Sequence, residues 1–355
     1  MADSITYDCF LKGDWERLIT TGKEAIGQNI DYKHHRPRLG YAFFALKDYY
    51  EAQFHYQKAL AFDEYDPDTN EYLYYCSLNT GDEAQARWLA ARLPENLRKS
   101  LRIKAVKPLE AVDFEYNYKS NDSETRSNPT YLRAGLNTQL GYRFTLYQSV
   151  SNYRQIVDAA LTKQPEYYAL LSWSLTSRIT ADAAYHYLNT SVDGYKIPGH
   201  MAFAALSTRI NRFNVGANGS LLNTTSGNTA QIGVQAGVAL PGSSGFYLKS
   251  SLCEMVETAN NRTIFSQVAG VRLTGKVWAE GKITFGNLKN YNDFKALYVY
   301  NSADQTTFRT GLTLLWYASN KASLFVNYTF DKKEITTTSD HYNQQSLSAG
   351  IIWKL

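Results

Sequence analysis

No run of about twenty apolar residues occurs in the chain, so none of its helices is able to cross a bilayer. The longest apolar runs are a handful of residues, such as Tyr41 to Leu46. A mean hydropathy of −0.40 does not speak against membrane strands, half of whose residues are polar. Charge of one sign is scarce too: 37 basic against 33 acidic residues leave a net +4. That is too weak for a nucleic-acid partner, and no Lys/Arg cluster interleaves with aromatics. Proline is rare, 8 residues against 28 tyrosines, which favours strands with interfacial aromatics over a disordered chain. The three cysteines, Cys9, Cys76 and Cys253, are too few and too odd in number for a paired framework, and read as small buried residues. Catalytic motifs are absent as well. There is no Gly-x-Ser-x-Gly elbow, phosphate loop or metal-ligand cluster. His186 and His341 are the histidines placed to act as a base, and neither has a catalytic context. The pair His34-His35 lacks a third ligand and reads as a solvated loop. No enzyme activity, cofactor or metal is expected.

What is present is a two-residue rhythm. In the last fifty residues, Phe308, Thr310, Leu312, Leu314 and Trp316 alternate with Arg309, Gly311, Thr313 and Tyr317. Leu324, Val326, Tyr328 and Phe330 follow after a polar turn, and Leu347, Ala349, Ile351, Trp353 and Leu355 close the chain. Alternate side chains of a strand point to opposite faces, so each segment has an apolar and a polar face. Runs of about ten residues suit tilted strands crossing a bilayer. The same rhythm begins at Ala111 and predicts strands near 111–119, 130–140, 142–152, 166–177, 179–190, 200–209, 212–222, 230–240, 245–256, 263–273 and 276–288.

With the three closing segments, about fourteen antiparallel strands form a transmembrane barrel over 105–355. Joins alternate between long polar stretches (120–129, 153–165, 193–199, 223–229, 257–262, 331–345) and short turns (141, 177–178, 210–211, 241–244, 274–275). Long loops belong outside the cell and short turns in the periplasm. An even strand count then requires that Phe294 to Asn301 not cross, and it is assigned to an external hairpin-like loop. Parity places Asp113, Glu115, Arg133, Arg143, Asp182 and His186 in the lumen, together with Lys249, Arg272, Trp278, Glu280, Lys282 and Arg309. Val112, Phe114, Leu132, Leu171, Trp173, Val234, Val277, Ile283 and Leu314 face lipid.

The first 104 residues have a different period. Leu18, Ala52 and Ala86 are 34 positions apart, as are Gly22, Tyr56 and Ala90, and Ala25, Ala59 and Leu93. A turn precedes each unit: Gly13-Asp14, Lys47-Asp48, Gly81-Asp82. This period and these small positions resemble the tetratricopeptide repeat, giving an α-solenoid of about three units, best matched at Leu39-Gly40-Tyr41, Phe43, Ala52, Tyr56 and Ala59. The resemblance implies a partner-binding face, for which Tyr41, Phe43, Tyr49 and Tyr56 are the candidates, although such aromatics also fill gaps between helices.

A helical array joined to a barrel, the segments Asn290-Tyr291-Asn292-Asp293 and Tyr298-Val299-Tyr300-Asn301, and the ending Ile351-Ile352-Trp353-Lys354-Leu355 resemble the YaiO-type outer-membrane family. More distantly the layout is similar to polysaccharide export pores, which carry many more repeats. The resemblance implies a Gram-negative outer-membrane protein with its array in the periplasm, surrounded by lipid and docked to a protein partner. Met1-Ala2-Asp3-Ser4 is no signal peptide, so a processed form is expected. Two functions stand: export or transport of a glycan through the lumen, or a non-conducting anchor that recruits a partner complex through its array or external loops.

Overall fold

The structure, a computed structural model, describes residues 2–225, 227–240, 245–257 and 261–355. Six helices make three helix–turn–helix pairs: α1 (Ala2–Lys12) with α2 (Trp15–Gly27), α3 (His35–Ala45) with α4 (Tyr49–Ala59), and α5 (Pro67–Asn79) with α6 (Glu83–Ala90). The 34-residue period is the period of their caps. Asp14, Asp48 and Asp82 each accept a hydrogen bond from the backbone N–H three residues on, the arrangement that satisfies an orphan donor at a helix start. Before each cap the chain turns at positive φ, at Gly13, Lys47 and Gly81. The small periodic positions are buried, with Leu18 and Ala52 at 0% exposure, because each pair packs closely on the next. A short helix, α7 (Glu95–Ser100), leads to the sheet.

Two expectations fail in this part of the chain. Tyr56 and Phe43 are core residues, 2% and 7% exposed, and so are not available to a partner. Tyr41 packs edge-on against Phe10, Trp15 and Tyr72, and Tyr49 against Phe44. The periodic aromatics hold the pairs together, which is what periodicity in a stack demands. His35 is not in a solvated loop either: it is fully buried on α3, its Nε2 2.9 Å from the Gly22 carbonyl.

Beyond the helices the chain forms β1 (Lys107–Asn121), β2 (Thr130–Gln139), β3 (Phe144–Val157), β4 (Ala160–Ser174) and β5 (Ile179–Val192). Next come β6 (Tyr195–Ile210), β7 (Phe213–Thr224), β8 (Gly227–Ala239), β9 (Tyr247–Val256), β10 (Asn261–Arg272) and β11 (Val277–Phe285). Two short strands, β12 (Asn292–Asp293) and β13 (Tyr298–Val299), pair only with each other; β14 (Gln305–Tyr317), β15 (Ala322–Glu334) and β16 (His341–Lys354) then complete the wall. Among the described residues fourteen antiparallel strands close a barrel in chain order, with β11 pairing β14 and β16 returning to β1, where Phe114 lies opposite Ile351.

The wall is inverted relative to a soluble sheet. Outward Phe114, Leu132, Trp173, Val234 and Leu314 are all more than 40% exposed, while inward Glu115, Arg133, Asp182 and Gln231 are buried. Val112, Leu171 and Ile283 lie in the same outward belt, and Val277 shares its parity. An apolar belt of this extent is stable only against hydrocarbon, and a closed barrel leaves no unpaired backbone there. Trp173, Trp316 and Trp353 ring the belt at the helix side, and Tyr118, Tyr185 and Tyr328 ring it toward the far end.

The strands are longer than predicted, 13 to 16 residues in most of β3–β6 and β14–β16 rather than about ten. Three joins read as long loops are really strand extensions. Asp158-Ala159 alone connects β3 to β4, Asp193-Gly194 connects β5 to β6, and 335–340 connects β15 to β16. These ends rise past the lipid, where both faces are polar and alternation leaves no trace in the sequence. The predicted turn 241–244 lies outside the described residues, as do parts of the joins 223–229 and 257–262.

Candidate functional site in the barrel lumen

The segment assigned to an external loop folds into the barrel instead. From β11 the chain turns inward at Gly286, at φ +120, where a Cβ would sit 2.6 Å from the Thr263 carbonyl oxygen, so the bend is reserved for glycine. The β12–β13 hairpin then descends along the inside of β4–β10. At its tip Phe294, Lys295 and Ala296 are three consecutive left-handed residues, a strained run for side chains that carry a Cβ. Wall contacts hold it there. Lys295 pairs with Asp182 at 2.8 Å, Tyr168 donates to the Lys295 carbonyl at 2.7 Å, and His186 Nδ1 lies 2.7 Å from the Ala296 carbonyl. Lys282 pairs with Asp293, and Asn292 bonds Gln231 and Ser220.

The inner wall under the hairpin breaks the polar-inside rule. Leu188, Met201, Phe203 and Leu222 form one apolar cluster with Ala296, and Cys253, Met255 and Ile264 form another with Leu288 and Tyr291. All three cysteines are free and buried, as expected. Apolar residues at lumen parity were the available signal that something covers this wall, and sequence reasoning missed it. It also missed Asp293, Lys295, Tyr298, Tyr300, Asp331, Arg126 and Asp304.

Across the lumen, β1–β3 and β14–β16 present a polar wall. Arg133 binds Asp113 at 2.7 Å and Glu115 at 2.9 Å; Tyr298 reaches from the hairpin to donate to Glu115 at 2.6 Å. Arg309 pairs with the fully buried Asp331 at 2.6 Å and also reaches Tyr300. At the far rim Arg126, in the β1–β2 loop, ties Asp304 at 2.8 Å and also Asp158. Burial works to raise the Asp304 carboxyl, but hydrogen bonds from Arg126 and Tyr342 outweigh it and hold the group below the usual carboxylate range.

Among the described residues two chambers stand out. The far one, about 610 Å³, lies between hairpin and polar wall; the near one, about 2030 Å³, lies between the barrel and the helices. Glu280, Thr313 and Phe325 border both, so the chambers adjoin there. Lys249, Arg272 and Trp278 face the near chamber, and Glu115, Arg133, Lys282 and Arg309 the far one. Asp113, Asp182 and His186 also point inward but are spent on Arg133, on Lys295 and on the hairpin. Arg143 is not in the lumen: it sits in the turn before β3, with its guanidinium over the Trp88 ring at 5.9 Å, because β3 starts two residues later than predicted. His186 is a hairpin anchor at 1% exposure, and His341 opens β16 on the exposed rim.

The helices roof the near chamber and are clamped to the rim by their own caps. Arg212, after β6, binds both oxygens of Asp48 at 2.8 and 2.9 Å, and Arg209 lies 3.4 Å from Asp82. Gln85 donates to the Ser177 carbonyl at 2.8 Å, and Ser174 to the Ala84 carbonyl at 3.0 Å. The 34-residue spacing of two caps is thus matched by two arginines three residues apart.

A scan against models of protein families matched none, and a search of curated sequences found no relative. Among solved structures the barrel is similar to the CymD monoaromatic hydrocarbon channel (8% identical, TM-score 0.50, covering 70% of this chain and 89% of that one). Remoter likenesses are the Ralstonia pickettii toluene transporter TbuX (9%, TM-score 0.47, 70% and 90%) and a bacterial polysaccharide outer membrane secretin (8%, TM-score 0.44, 70% and 99%). At such identity the first likeness shows the fold, a membrane β-barrel, and nothing of the cargo.

Proposed function

We propose that the chain is a solute-conducting barrel of a Gram-negative outer membrane, narrowed by an inward hairpin, with a tetratricopeptide-type array of the YaiO kind on its periplasmic side. The observation that carries this reading is the pair of adjoining chambers meeting at Glu280, Thr313 and Phe325. A barrel serving only as an anchor has no need of a polar wall facing a hairpin that leaves space beside it. Tyrosines, amides and paired charges along that wall suit a glycan, which needs hydrogen bonds and ring faces rather than a field of one sign. The array is placed to bring a periplasmic protein partner to the near chamber.

A second reading has one observation in its favour. The hairpin is fastened by so many contacts that it could serve as a fixed plug in a non-conducting scaffold. Planar-bilayer recording separates the two. Wild-type chain is expected to give small single-channel steps, and replacement of 287–303 by a short Gly-Ser turn to enlarge them. Absence of any conductance from both proteins would refute the transport reading and leave the scaffold.

A further inference from the structure

We infer that the far chamber is a binding site for a carboxylated saccharide, with Lys119 and Lys333 as its cationic contacts. This deepens the transport reading and rests on it for its purpose, although the binding itself needs no membrane to be measured.

The other cations lining the far chamber are matched. Arg133 has Asp113 and Glu115, Arg309 has Asp331, and Lys282 has Asp293. Lys119 and Lys333 differ: among the described residues no carboxylate lies within ion-pair reach of either. Lys333 is 6% exposed and donates only to the Ser302 hydroxyl, at 3.1 Å. Lys119, half-buried, faces the Tyr153 ring at 5.6 Å. Buried ammonium groups are seldom left without a counter-ion, because desolvation is costly unless an anion offsets it. Both line the same chamber, one on β1 and the other on β15, flanking β16.

Two further groups there are unspent. Asn117 Oδ1 and Ser346 Oγ are buried, in residues 8% and 3% exposed, and have no hydrogen-bond partner. Ser346 lies directly opposite Lys119 in the β1–β16 register, and Asn117 is the next inward residue along β1. Buried polar atoms are nearly always satisfied, so an acceptor and a hydroxyl left open beside two unmatched ammonium groups point to an absent ligand rich in hydroxyls. Tyr131, Tyr153 and Tyr298 add ring faces to the chamber, suited to the C–H face of a sugar. A volume of about 610 Å³ takes a short stretch of such a chain, within the usual span of ligand sites. Carboxylate for the lysines, hydroxyls for Asn117 and Ser346, and ring for tyrosine together specify an acidic sugar.

The test titrates the full chain in detergent with tri-galacturonate, and with neutral galactotriose as comparison, by calorimetry. Saturable binding of the acidic trimer is expected, at least tenfold tighter than the neutral one and weakened by salt. Lys119→Gln with Lys333→Gln should reduce it at least tenfold, while the heat-resistant mobility of the folded barrel shows that the variant is intact. No saturable binding by wild type, equal binding of the neutral trimer, or undiminished binding by the folded double variant would each overturn the assignment. Conductance of the same preparation keeps the outcomes apart: a conducting barrel that ignores the acidic trimer refutes only this site, and a non-conducting barrel that binds it refutes only transport.

Discussion

Removing Asp182 should loosen the lumenal hairpin, and the structure gives the size of the effect. Three successive left-handed residues at the tip cost roughly 1–2 kcal/mol each, so about 3–6 kcal/mol is stored at Phe294, Lys295 and Ala296. Against this stand one ion pair, two hydrogen bonds to tip carbonyls and the burial of Ala296. The Lys295 side chain is 46% exposed, which limits its pair with Asp182 to about 1 kcal/mol, and each hydrogen bond adds about 1 kcal/mol. Strain and anchorage are therefore of similar size. Asp182→Ala combined with Tyr168→Phe removes about 2 kcal/mol, a shift of roughly 30-fold toward the released tip. Single-channel recording should show bursts of larger conductance at least tenfold more often than in wild type. Trypsin should cut after Lys295 in the variant while wild type resists. Identical gating and identical protease resistance in a correctly folded variant would mean that these contacts do not hold the tip.

Gly286→Val should lower the unfolding temperature of the barrel by the equivalent of about 1–3 kcal/mol, because its Cβ meets the Thr263 carbonyl at φ +120. Gly281→Ala, whose Cβ meets nothing within 4 Å, should not; equal effects would remove the bend from the explanation. Arg212→Ala deletes the clamp on Asp48 and should make tryptic release of the helices at 99–104 several-fold faster, an effect that added salt should mimic in wild type. Burial beside Arg36 lowers the His55 pKa from 6.5 to about 3. The unfolded chain therefore takes up the proton first, and helix stability, complete above about pH 6.5, falls toward pH 3. At pH 5 the loss is about 2 kcal/mol, read as a lower urea midpoint of the helical signal, and His55→Gln should flatten that slope. Val234→Arg, on the outward belt, should cost about 2–4 kcal/mol in refolding into lipid vesicles, and an unchanged equilibrium would deny that this face meets hydrocarbon.

Legibility followed the environment of each residue. Where one face meets lipid and the other water, period two is strong, and the spans around Phe114, Leu132, Trp173 and Leu314 could be read directly. Above the lipid both faces are wet, so 153–165 looked like a loop although Tyr153 and Gln164 are partners in a continuous ladder. The helical period was legible because a cap aspartate recurs with each pair, at Asp14, Asp48 and Asp82. Which face of the array is free was not legible. The residues most visible in the pattern, Phe43 and Tyr56, are visible because they pack the interior.

The inward course of the hairpin was hidden because Phe294 to Asn301 alternates like a strand, and an even strand count then excludes it from the wall without saying whether it lies outside or inside. Its position is fixed by the wall it covers. Leu188, Met201, Phe203 and Leu222 at lumen parity would leave an apolar surface in water if the hairpin stood outside. The opposite wall, from β14 through β16 to β3, has polar inward positions at Asn117, Arg133, Arg309 and Ser346, with Phe325 an aromatic exception where the chambers adjoin. The lumen is therefore divided lengthwise: one half is a dry seat for the hairpin, the other a polar face along the far chamber. Any solute crossing the barrel with the hairpin seated travels along that polar half and past Glu280, Thr313 and Phe325, where the two chambers adjoin. Substitutions at those three positions should thus change conductance at an unchanged hairpin, whereas substitutions at Met201 or Leu222 should change it only by unseating the hairpin.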